Sequence, residues 1–438
     1  MDLEGYARRL LTSVGVKKAT EKLIERIIEI KGWNEEKAKS WAKAVIEEVK
    51  NAYSSSNYIL DYFKSSIKMG EFGVGSRGRG DFYVHSKIAE ISKSEDAIIS
   101  TRDLDDAGVV RCNGKYIVIS VDGIHSRLSE FPFIAGFHVT RAAMRDVYVM
   151  GAEPIAVFSD IHIADDGDVS KIFDHIAGIC TVCEATGVPL VSGSTLRIGG
   201  DMVIGERMTG CVGCVGIADT ITPRKNVKEG DILLLTEGAG GGTIATTAIY
   251  HGRHDVVDET LNLDFIKAVR AIFDAKILPK IHSMSDITNG GIRGDAEEIS
   301  KVSKKAIVFE YEKLRKCVKP RVLEMLEELE IDFMGVSIDS LLIACSEKYV
   351  DEIKEVVKSS GVKIEEVGWV EKGTGSYIIE NGMKKRIEPK FRESAYTPLK
   401  KVVGESVPQN FDEMRRRVDE AVKKAISKKE YILKKLGF

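Results

Sequence analysis

The sequence predicts an α+β protein made of two α/β halves with an added N-terminal helical module. Three observations predict it. From about residue 58 to 220, short apolar runs of strand length alternate with stretches of helical spacing. Residues 338–370 read as strand, helix and strand in IDSLLIAC, KYVDEIKEVVKSSG and VKIEEVGWV. Residues 1–53 show helical spacing alone. The stretch ITPRKNVKEGD, at 221–231, has the proline, glycine and charge of a break between halves. The expected units are a helical module at 1–55, a first half at 56–222, a second half at 223–375 and a C-terminal extension at 376–438.

Each element follows from local chemistry. Asn34 suits an N-cap, with Glu35 and Glu36 in a first turn whose dipole favours acids. Trp41, Ala44, Val45 and Val49 then recur at helical spacing, and SSSN at 54–57 reads as a linker. Asn113-Gly114 lies between two strand-like runs, a strong signal for a two-residue hairpin turn. IAGFHVTRAAMRDVYVMGAEP predicts a helix ending at Gly151. Val139, Ala142, Ala143, Asp146, Val149 and Met150 share one face of it, and Arg141, Arg145 and Tyr148 the other. KVSKKAIVFEYEKL contains a further strand. The tail from Phe411 is helical and basic through Arg415, Arg416, Arg417, Lys423 and Lys424, with acids interleaved as on a solvated face.

The 438 residues are 43% hydrophobic and 30% charged, enough for a large core, and the net charge of -3 is too balanced to point to nucleic acid or an anionic membrane surface. No apolar run has the length of a membrane span, and the N-terminus lacks a signal-peptide pattern, so a cytoplasmic location is expected. Gln409 is the one glutamine amid abundant Lys and Glu, a bias that fits a heat-adapted source.

The segment TRDLDDAGVV places Asp105 and Asp106 at the mouth of an apolar strand. Counting back from the Asn113-Gly114 turn sets Cys112 against Lys115 and Asp105 against Asp122. Like charges facing across a ladder repel, by about 3 kcal/mol at ~5 Å and an effective dielectric of ~20. A divalent cation between the strand ends removes that repulsion. Asp146, on the apolar stripe of its helix, is a third carboxylate with the same need. Oxygen ligands with open positions suit Mg²⁺ or Mn²⁺ shared with phosphates.

A phosphate cradle is expected at EFGVGSRGRGD, where Gly73, Gly75, Gly78 and Gly80 free backbone N–H groups and Arg77 and Arg79 add charge. Asp81 could cap the following helix, which carries Val84, Ile88 and Ile91. No Gly-Lys-Ser/Thr follows, so this is not a P-loop. LLLTEGAGGGTIATTAI (233–249) is a second glycine stretch before a helix, and its spacing does not match a dinucleotide fold. SDITNGGIRGDAEEI (285–299) couples Asp286 and Asn289 to a third. His125 and His138 flank the acids as a base, as substrate contacts or as ordinary structural histidines.

The seven cysteines form no secreted disulfide pattern. Cys180-x-x-Cys183 and Cys211-x-x-Cys214 have zinc or iron–sulfur spacing, but odd spacing on a straight strand turns Cys211 and Cys214 to opposite faces.

Together GVGSRGRGD, DDAGVV, VDG at 121–123, RDVYVMGAEP, GVPLVSGST, DITNGG and SIDSLLIA resemble, in order, the aminoimidazole ribonucleotide synthetase (PurM-like) superfamily. It includes selenophosphate synthetase, thiamine-monophosphate kinase and a hydrogenase-maturation dehydratase, and the likeness is greatest to archaeal synthetase-related proteins. The resemblance implies two PurM-like halves, the first dimerising through its sheet, with ATP and Mg²⁺ (or Mn²⁺) in a cleft shared by a homodimer. It implies transfer of the γ-phosphoryl group to a small molecule. It also implies that Asp105, Asp106, Asp122, Asp146 and Asp286 are the metal and phosphate acids, Asp105, Asp122 and Asp146 serving catalysis. The glycine loop with Arg77 and Arg79, Thr195 and Asn289 would contact the nucleotide. Ser194 stands where the family has an acid or histidine, the loop has no lysine or cysteine, and the chain ends KKLGF rather than in a reactive cysteine. Neither selenophosphate synthesis nor the dehydratase activity is therefore transferred. A nucleotide-binding regulatory or scaffold protein is the alternative reading.

Overall fold

Two antiparallel helices begin the chain in the computed structural model, which describes residues 1–92, 95–288, 290–393 and 395–438. Helix α1 (Leu3–Lys31) is capped by Asp2, whose carboxylate accepts from the Gly5 N–H at 2.9 Å, and Gly15 (φ 76°) kinks it. Helix α2 (Glu35–Ala52) is capped by Asn34, which accepts from the Lys37 N–H at 2.9 Å, as the sequence predicts. Leu10, Leu23 and Ile27 of α1 pack on Ala42, Val45 and Val49 of α2, and Ile204 joins the same cluster from the first half. Lys31, its side chain almost fully covered, clamps the module to Asp165 and Asp166 at 2.5 and 2.6 Å.

Short helix α3 (Met69–Phe72) and α4 (Arg79–Ile91) follow. The first half then runs β1 (Gly108–Cys112), β2 (Lys115–Gly123), α5 (Pro132–Val149), β3 (Glu153–Ile163), α6 (Ser170–Thr186), β4 (Leu190–Arg197) and β5 (Met208–Ala218). Its sheet has the order β1-β2-β5-β3-β4, with only β3 and β4 parallel. Asn113 and Gly114 both take positive φ, 48° and 81°, as the tight hairpin turn requires. Pairing runs from Cys112↔Lys115 to Gly108↔Ile119, the register counted from the sequence. The ladder ends there, so Asp105 and Asp122 are not a bonded pair, although the same count places them together.

The second half runs β6 (Asp231–Thr236), α7 (Gly242–Tyr250), α8 (Val257–Thr260), α9 (Asp264–Asp274), β7 (Ile281–Ile287), α10 (Gly291–Ser303), β8 (Ala306–Glu310), α11 (Tyr311–Lys316) and α12 (Pro320–Glu328). It continues through β9 (Ser340–Ser346), α13 (Val350–Ser359), β10 (Ile364–Glu371), β11 (Gly375–Glu380) and β12 (Met383–Ile387). The sheet order is β12-β11-β8-β10-β6-β9-β7, so it continues past residue 375. The expected strand, helix and strand of 338–370 are β9, α13 and β10, with β6 inserted between the two strands.

Helix α5 joins the halves. Ala143 and Val147 share one buried cluster with Val118 and Val212 of the first sheet and with Phe265, Val269 and Met284 of the second half. The two-faced division drawn from the sequence is therefore corrected: Arg141, Arg145 and Tyr148 are buried as well, because the second half covers the face that carries them. The tail forms α14 (Pro398–Val403) and α15 (Phe411–Leu436). Phe411 packs on Phe391 and Phe72, and Tyr83 of α4 donates to Asp419 at 2.5 Å. No helix among the described residues is long and apolar enough to cross a membrane.

Replacing Lys31 by Ala leaves two carboxylates without their cation. The expected result is a loss of about 1–3 kcal/mol in the docking of the helical module, read as earlier proteolytic cleavage near residues 53–57 with the two-sheet body intact.

Candidate functional site

A cavity of about 410 Å³ opens between the halves, and carboxylates dominate its wall. Asp105 and Asp106 come from the loop before β1, Asp122 from the end of β2 and Asp146 from the last turn of α5. Asp286 comes from the end of β7, Asp295 and Glu298 from α10, and Asp339 from the residue before β9. Leu104 (φ 52°) and Asp339 (φ 62°) hold left-handed turns that bring these carboxylates inward. The wall thus carries eight carboxylates against three guanidiniums, those of Arg77, Arg145 and Arg224.

The arginines partition the acids. Arg224 reaches Asp106 at 2.5 Å, Asp295 at 2.9 Å and Glu298 at 2.6 Å, and its own N–H donates to Asp105 at 3.1 Å. Arg145 contacts Asp286 at 3.2 Å and also Asp339, which Arg141 engages from the other side. Asp146 accepts a 2.6 Å hydrogen bond from Ser120, which points inward from β2.

Burial, with the crowding of like charges, shifts the acids. Burial raises Asp105 to about 6, against the pull of Arg224. Burial raises Asp295 to about 8, again opposed by Arg224. Asp106 and Asp146 are pushed well above the usual carboxylate range by burial, and Asp286 adds to the push on both. Asp122 is raised by burial, with Arg77 and Arg145 opposing. Burial works against the charge on Arg77, but Asp81, Glu298 and Asp122 overcome it and raise its pKa.

Every acid singled out from the sequence therefore lines one cavity: Asp105, Asp106, Asp122, Asp146 and Asp286. His125 and His138 line it too. The glycine loop does not behave as the open cradle expected. Of its residues only Arg77 lines the cavity, while Gly73, Gly75, Gly78, Gly80 and Arg79 do not. The Asp81 carboxylate accepts from the Gly75 and Arg77 N–H groups, each at 3.0 Å, so an internal anion already occupies them. Asp81 is thus not the cap of α4, whose N-cap is Gly78. A Cβ at Gly78 would overlap the Phe391 carbonyl, and one at Gly80 the Phe72 carbonyl. Close backbone packing is what requires glycine at those two positions. Thr195 sits on the exposed edge strand β4 and does not line the cavity. Asn289 lies outside the described residues.

Arg224, Asp295, Glu298, Asp339 and the inward turn of Arg145 escaped the sequence reading. One signal was present: Asp295 falls on the apolar stripe of Ile292 and Ile299, as Asp146 does on α5.

The donors fit a hard cation. All are carboxylate oxygens, and Asp106 Oδ2 and Asp295 Oδ2 are buried without a hydrogen-bond partner. Among the described residues no three His, Cys, Asp or Glu side chains yet converge to hold a metal ion. Asp106 is held by Arg224 and Asp286 by Arg145, so a cation would have to draw carboxylate oxygens together from these pairs. The cysteines do not assemble either: all are free thiols, and Cys214 is buried while Cys211 points to the other face of β5, opposite Asp160.

Residues 104–218 match the N-terminal domain of the AIR synthase related proteins, and residues 228–381 their C-terminal domain. The chain belongs to this family. An uncharacterised protein of Methanocaldococcus jannaschii is 53% identical over 449 residues, covering 100% of this chain and 98% of that one. The selenide, water dikinase of the same organism is 25% identical over 304 residues, covering 64% of this chain and 84% of its own length. Two solved structures of the hydrogenase maturation protein HypE share the fold. One, from a HypE–HypF complex, has a TM-score of 0.58 at 20% identity and covers 70% of this chain and 99% of its own. The other, in complex with ATP, has a TM-score of 0.54 at 16% identity and covers 72% and 96%. The glycine loop, Arg77 and everything beyond residue 381 lie outside both matched family segments.

Raised carboxyl pKa values have a thermodynamic consequence. Asp105 and Asp295 bind protons more tightly folded than unfolded, where their ordinary value is 3.8. Their contribution favours the folded state fully below pH ~4 and is lost as pH rises through about 6 and about 8. The Tm of metal-free protein should therefore fall from pH 5 to pH 8.5, as read by scanning calorimetry, and Mg²⁺ added at the upper end should restore it. A profile insensitive to both would remove the case for a cation site.

Proposed function

We propose that this protein binds ATP with Mg²⁺ or Mn²⁺ in the acidic cavity and transfers the γ-phosphoryl group to a small-molecule acceptor. The observation that carries the reading is the surplus of carboxylates over guanidiniums around one cavity, with two carboxylate oxygens buried and unpartnered. The dikinase and the ATP-bound relative support the nucleotide. Phosphoryl transfer asks the protein for position and for neutralised charge more than for covalent help. Bound divalent metal would supply the charge that ties phosphate oxygens to the acids. Asp105, Asp106, Asp122, Asp146 and Asp286 would hold it, with Asp105, Asp122 and Asp146 the catalytic set. Arg77, half-buried among acids, would turn its forked donors to the terminal phosphate. Arg224 would keep Asp295 and Glu298 in place.

A nucleotide-binding scaffold without turnover is the second reading. It is favoured by the Asp81 carboxylate held on the Gly75 and Arg77 N–H groups, where an anion from a ligand would otherwise sit. Calorimetric titration with ATP and Mg²⁺, followed by phosphorus NMR with a panel of acceptors, separates the two. Binding with turnover supports the enzyme, binding alone supports the scaffold, and no binding ends both.

The outer face of the first sheet supports a homodimer. Ile119, Ile217 and Leu196 are 42, 37 and 57% exposed, on the sheet face opposite the buried Val118 and Val212. A second copy would bury them.

Asp122→Asn and Asp146→Asn are each expected to lower ATP turnover by about 100-fold or more, without a fall in Tm, since a neutral amide relieves the crowding of charge. Ile119→Asp should shift the chain to a monomer in sedimentation while its far-UV spectrum stays unchanged.

A further inference from the structure

Part of the cavity wall is built by His138 and Val139 of α5, by His125, and by Gly241 and Gly242 at the start of α7. His138 is 5% exposed. Its Nε2 lies 3.2 Å from the Thr260 hydroxyl, which itself lies 2.7 Å from the Val257 carbonyl. A hydroxyl has one hydrogen, and a carbonyl can only accept, so the shorter contact takes it. The Thr260 oxygen must then accept from His138, and the proton of the ring resides on Nε2. Nδ1 is left as a bare lone pair, and it has no partner. Burial, with Arg141, Arg145 and His125 nearby, keeps the ring from taking a second proton.

The other cavity histidine is different. Both nitrogens of His125 are engaged, by Tyr396 at 2.8 Å and Thr246 at 3.1 Å. His175 also has an unpartnered buried nitrogen, but it does not line the cavity. Glycine keeps the neighbouring wall open: a Cβ at Gly242 would press on the His125 side chain, and one at Gly241 on Arg141. A buried acceptor without a donor is unfavourable, and a ligand that donates there removes the penalty.

We propose that Nδ1 of His138 receives a hydrogen bond from an O–H or N–H of the phosphoryl acceptor, so that the acceptor is a hydroxyl-, amine- or amide-bearing molecule, held by that group beside the start of α7. The inference rests on the phosphoryl-transfer reading for the word acceptor. The tautomer and its bare nitrogen stand without it. Molecules that present only lone pairs to this wall, such as a carboxylate ion, would meet another lone pair and be rejected.

The test uses the full chain with nitrogen-15 in its histidine rings. His138 should show a protonated Nε2 and an unprotonated Nδ1. The Nδ1 resonance should move on addition of acetamide or ethylene glycol and stay in place with formate. A proton on Nδ1, or a resonance indifferent to both donors, overturns the proposal. Basal ATP hydrolysis, in which water is the donor, gives a second readout. His138→Phe keeps the packing and removes the acceptor, and should slow hydrolysis about 10-fold with ATP affinity unchanged. His138→Asn returns an oxygen near the place of Nδ1 and should recover most of the rate. Equal losses in the two variants would mean a structural role and overturn the proposal. Should the native chain neither bind nor hydrolyse ATP, the phosphoryl-transfer reading falls, and the nitrogen resonance alone decides the role of His138.

Discussion

Carboxylates from both halves of this chain are forced into one recess, and the rest of the structure answers to their mutual repulsion. Three cavity guanidiniums reduce the charge without cancelling it. Burial, with that remaining crowding, pushes the Asp106, Asp146 and Asp295 carboxyls above the ordinary range. A fold selected for stability alone would replace such a cluster with apolar side chains of similar volume. Its retention is the physical argument for a cationic ligand. The donors, all oxygen, would suit a hard divalent ion rather than a soft one.

Helix α5 is what makes the gathering possible. It is buried on both sides, against the first sheet and against the second half. One helix can therefore present Asp146 towards Ser120 of one half while Arg141 and Arg145 reach Asp339 and Asp286 of the other. The shared core fixes the distance between the halves, so the cavity is a property of the interface rather than of either sheet. His138 belongs to the same helix, which is why a neutral imidazole stands in the wall of an otherwise charged site.

The glycine loop and the C-terminal extension form a second layer over this frame. Arg79 donates to the Lys390 carbonyl and Glu393 to that of Ser76, each through its backbone N–H, while Arg293 pairs with Glu393 at 2.8 Å. The loop is thereby fastened to a segment beyond the family's matched domains. Its conformation here reflects packing against that segment, with the Asp81 carboxylate filling the space where an outside anion would compete.

Local periodicity carried much of this structure. The Asn113-Gly114 pair determined the turn and hence the register of β1 on β2, whose ladder stops short of Asp105 and Asp122. The apolar stripe of α5 exposed Asp146 as an acid out of place, and Asn34 marked the start of α2. These were legible because each depends on neighbours a few residues away, where backbone geometry leaves few choices. The partners of the acids were not. Arg224 meets Asp106 across 118 residues of chain, and Arg145 meets Asp286 across 141. The reasons for Gly78 and Gly80, the inward turn of Asp81 and the proton position on His138 likewise depend on what the completed fold sets against them. A side chain's type limits what it can bind, but only the assembled interior decides which of the possible partners arrives within reach.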